Sequence, residues 1–157
     1  MDAAIERVGR SASMCAVPEA ATTPDNQASG ELGIDVEQIT LDGGVADAIG
    51  KALTDDERAS LEMLPSQTEK HTEFFKLWVR KEALLKARGD GLAITPAVVH
   101  ARMPSGKVYL RGRLQRGWRV YDIAVGAGNS AAIAAEGEHW RVVLQTFNSH
   151  RISAVGD

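Results

Sequence analysis

The stretch LWVRKEALLK, Leu77 to Lys86, places a lysine and a glutamate inside the apolar stripe of a helix. At the helical repeat Phe74, Leu77, Trp78, Leu84 and Leu85 share one arc, and Lys81 and Glu82 fall within its borders. Glu73, Lys76 and Arg80 are expected to point the opposite way. A buried, unpaired carboxylate would sooner take up a proton than stay charged, so Glu82 needs a cation, a hydrogen-bond partner or a wet cleft. Lys86 lies one turn beyond it on the same side.

Working outward, Ser66-Gln-Thr-Glu69 has the form of a capping box and opens this helix, and Thr54-Asp-Asp-Glu57 opens another that runs to about Leu64. The long helix should stop near Arg88, because Gly89 suits the left-handed residue past a helix end. Beyond it come AVVHARM, KVYLRG, WRVYDIAV, SAAIAAE and HWRVVLQTF, split by Pro-Ser-Gly, Gln-Arg-Gly, Gly-Ala-Gly-Asn and Glu-Gly-Glu. Short apolar runs punctuated in this way predict antiparallel strands, with Gly126 to Asn129 as a hairpin turn. Ahead of the helices, SASMCAV reads as a strand and Pro18 to Glu31 as an exposed loop. In LGIDVEQI, Leu32, Ile34 and Val36 alternate with Gly33, Asp35 and Glu37, so a strand puts both carboxylates on one face about 6–7 Å apart. Strand, helices, then a run of strands predicts an α+β fold, an antiparallel sheet packed on a long helix.

Composition narrows the function. With 157 residues, 44% of them hydrophobic, the chain can build its own core. Its formal net charge of −3 argues against a general nucleic-acid binder. No run approaches the ~20 apolar residues that span a bilayer, and the start, MDAAIERVGR, lacks the apolar core of a secretory signal. A cytoplasmic protein is expected. The single cysteine, Cys15, cannot form an internal disulfide and reads as a small buried thiol.

Asp35, Glu37 and Glu82 together make a hard-oxygen set suited to Mg²⁺ or Mn²⁺ rather than zinc. Magnesium keeps open positions for water and phosphate oxygens, and Lys81 and Lys86 beside it suit a phosphate-bearing ligand. Taken singly, each feature also has an ordinary structural reading. Asp-x-Glu suits the wet face of a strand, Glu82 and Lys86 a surface ion pair, Lys81 a snorkelling stem, and Trp78 with Phe74 and Phe75 a core. The three acids could equally form a structural ion-pair cluster. His71, His100, His139 and His150 show no metal-ligand spacing.

GIDVE, Gly33 to Glu37, followed after a helical spacer by FFKLWVRKEALLKARGDGL, Phe74 to Leu92, closely resembles the two signature blocks of the 4′-phosphopantetheinyl transferases. Trp78, Lys81, Glu82, Ala83 and Lys86 follow the Trp-x-x-Lys-Glu-Ala-x-x-Lys pattern of the surfactin-type branch; the holo-acyl-carrier-protein synthases usually have Phe where Trp78 stands. The resemblance implies an enzyme that moves the 4′-phosphopantetheine arm of coenzyme A to a serine of an apo acyl or peptidyl carrier protein. It implies Asp35, Glu37 and Glu82 as Mg²⁺ ligands, Glu82 as acceptor of the serine proton, Lys86 as a catalytic and coenzyme A phosphate contact, and Lys81 as a support either of the helix or, as a cofactor contact, of the same charge. Surfactin-type enzymes have two similar halves, and this chain matches the C-terminal one. Residues 1–31 are then expected to be a remnant of the first half and 32–157 the transferase-like domain, with Arg10 where the family has a phosphate-binding histidine. Either self-association supplies the missing half, or the chain is an inactive remnant that at most binds carrier proteins.

Overall fold

The computed structural model describes residues 3–5, 11–18, 31–41, 44–90, 93–137 and 140–147. Most of the expected loop Pro18 to Glu31, Arg10, the Cys15 side chain, His139 and His150 lie outside the described residues. Among them no helix is long and apolar enough to cross a membrane.

Contacts divide the chain into two compact units, residues 30–138 and residues 1–29 with 139–157. The second unit holds a three-stranded antiparallel sheet in which β2 (Ser11–Pro18) lies between β1 (Ala3–Ile5) and the last strand of the chain (Trp140–Phe147).

The larger unit opens with strand β3 (Leu32–Gln38), continues through helices α1 (Gly44–Ala52), α2 (Asp55–Glu62) and α3 (Gln67–Ala87), and closes with β4 (Val99–Arg102), β5 (Lys107–Leu110), β6 (Arg113–Asp122) and β7 (Asn129–Glu136). These five strands form one antiparallel sheet in the order β3-β7-β6-β5-β4, so the first strand pairs with the last. The α+β architecture with a long helix across an antiparallel sheet is as the sequence predicts.

Local signals set the helix ends. Thr54 Oγ1 accepts from the Glu57 amide while Glu57 returns Oε2 to the Thr54 N–H, a complete capping box for α2. At α3 the Ser66 hydroxyl caps the Glu69 amide, but the Glu69 carboxylate binds the Ser66 hydroxyl and not its backbone. The helix ends at Gly89, φ +69°, where the Gly89 and Asp90 amides donate to the Lys86 and Leu85 carbonyls, a Schellman stop. Sequence expected Gln115-Arg-Gly117 to separate two strands. It lies within β6, where the pairing with β5 slips between Lys107 and Tyr109, and the turn falls at Arg111-Gly112 with both φ positive. The punctuation marked a bulge, whose backbone demands resemble those of a turn.

Alanine makes a close approach possible. Ala132 and Ala134 of β7 meet Val79, Ala83 and Ala87 of α3 in a core that extends to Val99, Val108, Trp118 and Val120. A second cluster joins Leu53 and Leu61 to Phe74 and Phe75. Gly33 is the tightest point, because a methyl group there would collide with the Ala83 carbonyl oxygen and the Ala87 nitrogen of the helix backbone. The face of β3 that carries Gly33, Asp35 and Glu37 therefore faces the helix, whereas the alternation alone was compatible with a wet face.

Arg80 departs from its expected outward orientation. It is buried and gives Asp122 two hydrogen bonds of 2.7 Å, while Lys76, on the same expected face, is exposed and pairs with Glu73. The helix is sheathed on most of its circumference, which an amphipathic reading of one arc cannot reveal.

Gly33→Ala should lower stability by about 2–3 kcal/mol, since backbone atoms cannot step aside as a flexible side chain does. The urea midpoint measures this; a midpoint within error of the parent would show that strand and helix are not locked at this point.

Candidate active site

Two consecutive residues of α3 serve opposite sides of the helix. Lys81 is only 1% exposed, and its ammonium donates to Glu57 Oε2 at 2.6 Å, the Ala52 carbonyl at 2.9 Å and the Pro96 carbonyl at 3.0 Å. Those three acceptors use all the donors an ammonium has. Of the two roles expected for Lys81, support of the helix fits this geometry and a cofactor contact does not: it ties the end of α1, the start of α2 and the Pro96–Val98 turn to α3. Burial lowers the Lys81 pKa, and the adjacent Glu57 carboxylate opposes that shift. Sequence reading gave Glu57 its capping role but missed this second one. No local signal points across the 24 residues between Glu57 and Lys81.

The next residue, Glu82, turns to the other side and faces β3. Asp35 is 5% exposed, and Lys86 reaches over to donate to its Oδ1 at 2.5 Å. Asp35 Oδ2 is buried with no partner. Trp78 favours the charged form of Glu37. All three acids hold their protons more tightly than free carboxylates. For Asp35, burial is the main cause, with Lys86 opposing. For Glu37, burial and the charge of Asp35 act together, opposed by Trp78 and Lys86. For Glu82, burial comes first, then Asp35 and Glu37, with Lys86 again opposing.

These couplings mark the three sequence-derived acids as neighbours, with Lys86 as the cation that opposes the shift of each. They do not stand as a finished ligand set: among the described residues no three acidic, histidine or cysteine side chains are arranged to hold a metal ion. Asp35 is engaged by Lys86 and Glu37 by Trp78. The donor chemistry nevertheless suits Mg²⁺, because three hard-oxygen groups repel one another, the buried Asp35 Oδ2 is an orphan, and the Lys86 side chain that pairs with Asp35 is 53% exposed. Trp78 packs against both apolar clusters and stacks on Phe74, as the sequence reading expects of a core residue.

The 4′-phosphopantetheinyl transferase superfamily matches this chain over residues 31–136. The chain is 28% identical over 111 residues to the 4′-phosphopantetheinyl transferase HetI of Nostoc sp. (strain PCC 7120), which covers 71% of this chain and 46% of HetI. It thus spans about half the length of that curated relative. Its fold is similar to the holo-ACP-synthase from Plasmodium yoelii, with TM-score 0.53, 20% identity, and coverage of 69% of this chain and 95% of that one. It is also similar to a holo-(acyl-carrier-protein) synthase from Bacillus anthracis str. Ames in complex with CoA (3′,5′-ADP), with TM-score 0.52, 18% identity, and coverage of 69% and 96%. At these identities the structural likeness is one of fold.

Two outcomes follow. Lys81→Met should destabilise by about 3–5 kcal/mol, since it strands a buried carboxylate and two carbonyls, and adding Glu57→Gln should return part of that loss; urea unfolding of the single and double variants decides, and a neutral Lys81→Met would remove the buried pair from the account. For Glu82 the folded pKa is raised, so its destabilising effect grows as pH rises from the unfolded carboxylate range through the folded value and vanishes below both. Glu82→Gln should therefore raise the melting temperature of metal-free protein at pH ~7 by about 1–3 °C and leave it unchanged at pH ~3.

Proposed function

Because the chain belongs to the 4′-phosphopantetheinyl transferase superfamily, we propose that it catalyses Mg²⁺-dependent transfer of the 4′-phosphopantetheine arm of coenzyme A to a serine of an acyl or peptidyl carrier protein. The observation that carries this reading is the meeting of Asp35, Glu37 and Glu82 around Lys86, with the buried Asp35 Oδ2 lacking a partner.

Asp35, Glu37 and Glu82 would hold the metal ion. When bound, Mg²⁺ supplies positive charge against the coenzyme A pyrophosphate. The serine oxygen attacks the phosphorus next to pantetheine, the bond from that phosphorus to the bridging oxygen breaks, and adenosine 3′,5′-bisphosphate leaves. The serine proton goes to Glu82, directly or through a water. Lys86, half exposed at the mouth of this group, is placed to hold a phosphate oxygen once it leaves Asp35. Lys81 acts through α3: its buried ammonium fixes the turn of helix from which Glu82 projects. Trp78, beside Glu37, favours the surfactin-type branch.

The coverage of only 46% of HetI favours a second reading, a carrier-binding module without catalytic activity. Purified protein incubated with coenzyme A, Mg²⁺ and a panel of apo carriers separates the two. Intact mass spectrometry should show a carrier gaining the mass of one arm, dependent on Mg²⁺, and Glu82→Gln should slow this by about 10²–10⁴-fold while the circular dichroism spectrum is kept. Carrier binding with no mass gain from any carrier at high protein concentration would leave the second reading.

A further inference from the structure

A second polar site lies on the other side of α3, at the edge strand β4. A cavity of about 430 Å³ opens there, lined by Thr54, Asp56, His100, Arg102, Tyr109 and Arg111 among others. That volume falls in the range that takes small ligands. Three arginines of the described unit have carboxylate partners: Arg58 has Asp55, Arg80 has Asp122 and Arg88 has Asp90. Neither Arg102 nor Arg111 has one among the described residues. Arg102 is stacked on the Tyr109 ring at 4.8 Å, which holds its guanidinium in place. Between residues 91 and 121 the sequence has six Lys or Arg and no Asp or Glu, so no nearby acid along the chain stands ready to neutralise them.

Below the cavity is an unsatisfied group. The Glu57 side chain is 4% exposed; its Oε2 serves Thr54 and Lys81, while its Oε1 is buried without a hydrogen-bond partner. His100, a lining residue, places Nδ1 3.8 Å from that oxygen, beyond hydrogen-bond reach. We propose that this cavity binds a small phosphate monoester or anhydride, held by Arg102 and Arg111, with His100 joining the bound anion to Glu57. Two guanidiniums outweigh the single carboxylate of Asp56 at the rim, and a dianion uses both of them in forked hydrogen bonds. An imidazole beside such an anion donates from both nitrogens, and the donor on Nδ1 faces the otherwise unpartnered Glu57 oxygen. The site is separate from the Asp35 group and does not rest on the proposed reaction.

The test follows the imidazole resonances of the full chain by NMR during a titration with pyrophosphate at constant ionic strength, in EDTA so that no metal-dependent site contributes. His100 is assigned with His100→Gln. The His100 signal should shift saturably, Arg102→Gln and Arg111→Gly should each weaken binding by about tenfold, and Glu82→Gln should leave it unchanged. Arg111→Gly suits the left-handed backbone at that turn, so the variant keeps the fold. Absence of a saturable His100 shift, a shift unaffected by both arginine variants, or a response lost in Glu82→Gln would each overturn the proposal.

Discussion

The buried ammonium of Lys81 is the point on which the helical half of the larger unit depends. Its three acceptors come from α1, α2 and the turn before β4. An ammonium taken out of water is expensive unless every proton is used, and here every proton is used. The arrangement selects one relative placement of these elements, because displacing any one of them would strand either a charge or a carbonyl. Hydrophobic clusters around Leu53 and Phe74 contribute area but tolerate sliding; the ammonium does not.

The consecutive pair Lys81 and Glu82 divides a structural and a chemical task across a single helical step. One side chain locks α3 from the side of α2, and the other enters the gap between α3 and β3. The acids in that gap disfavour one another, and the shifts at Glu37 and Glu82 both name Asp35 as a source. A site arranged in this way holds charge that the protein alone does not neutralise, which is common where a ligand completes the electrostatics. Lys86 provides partial relief and, being half exposed, can give it up.

Local rules made much of this legible. The capping box at Thr54, the stop at Gly89, the strand at Leu32 to Gln38 and the hairpin at Gly126 to Asn129 depend on interactions within a few residues, and sequence shows such interactions directly. Asp35, Glu37 and Glu82 were identifiable as acids that stripes of apolar residues do not explain. What remained hidden depends on distant partners. Arg80 looked solvent-facing until Asp122, 42 residues away, was seen to receive it, and Lys81 looked like a ligand contact until Glu57 took its charge. The face of β3 was ambiguous because a period of two does not say which side meets the helix. Gly33 was the clue, since only a residue without a side chain could sit where helix and strand backbones touch.

That absent side chain at Gly33 also acts as a gauge. With no spacer between the two backbones, their separation is set by atomic contact and not by the shape of an intervening residue, and Asp35 stands one strand repeat farther on. The width of the gap where the acids meet is thus inherited from the van der Waals radii of the main-chain atoms themselves, a dimension that repacking elsewhere in the core cannot retune.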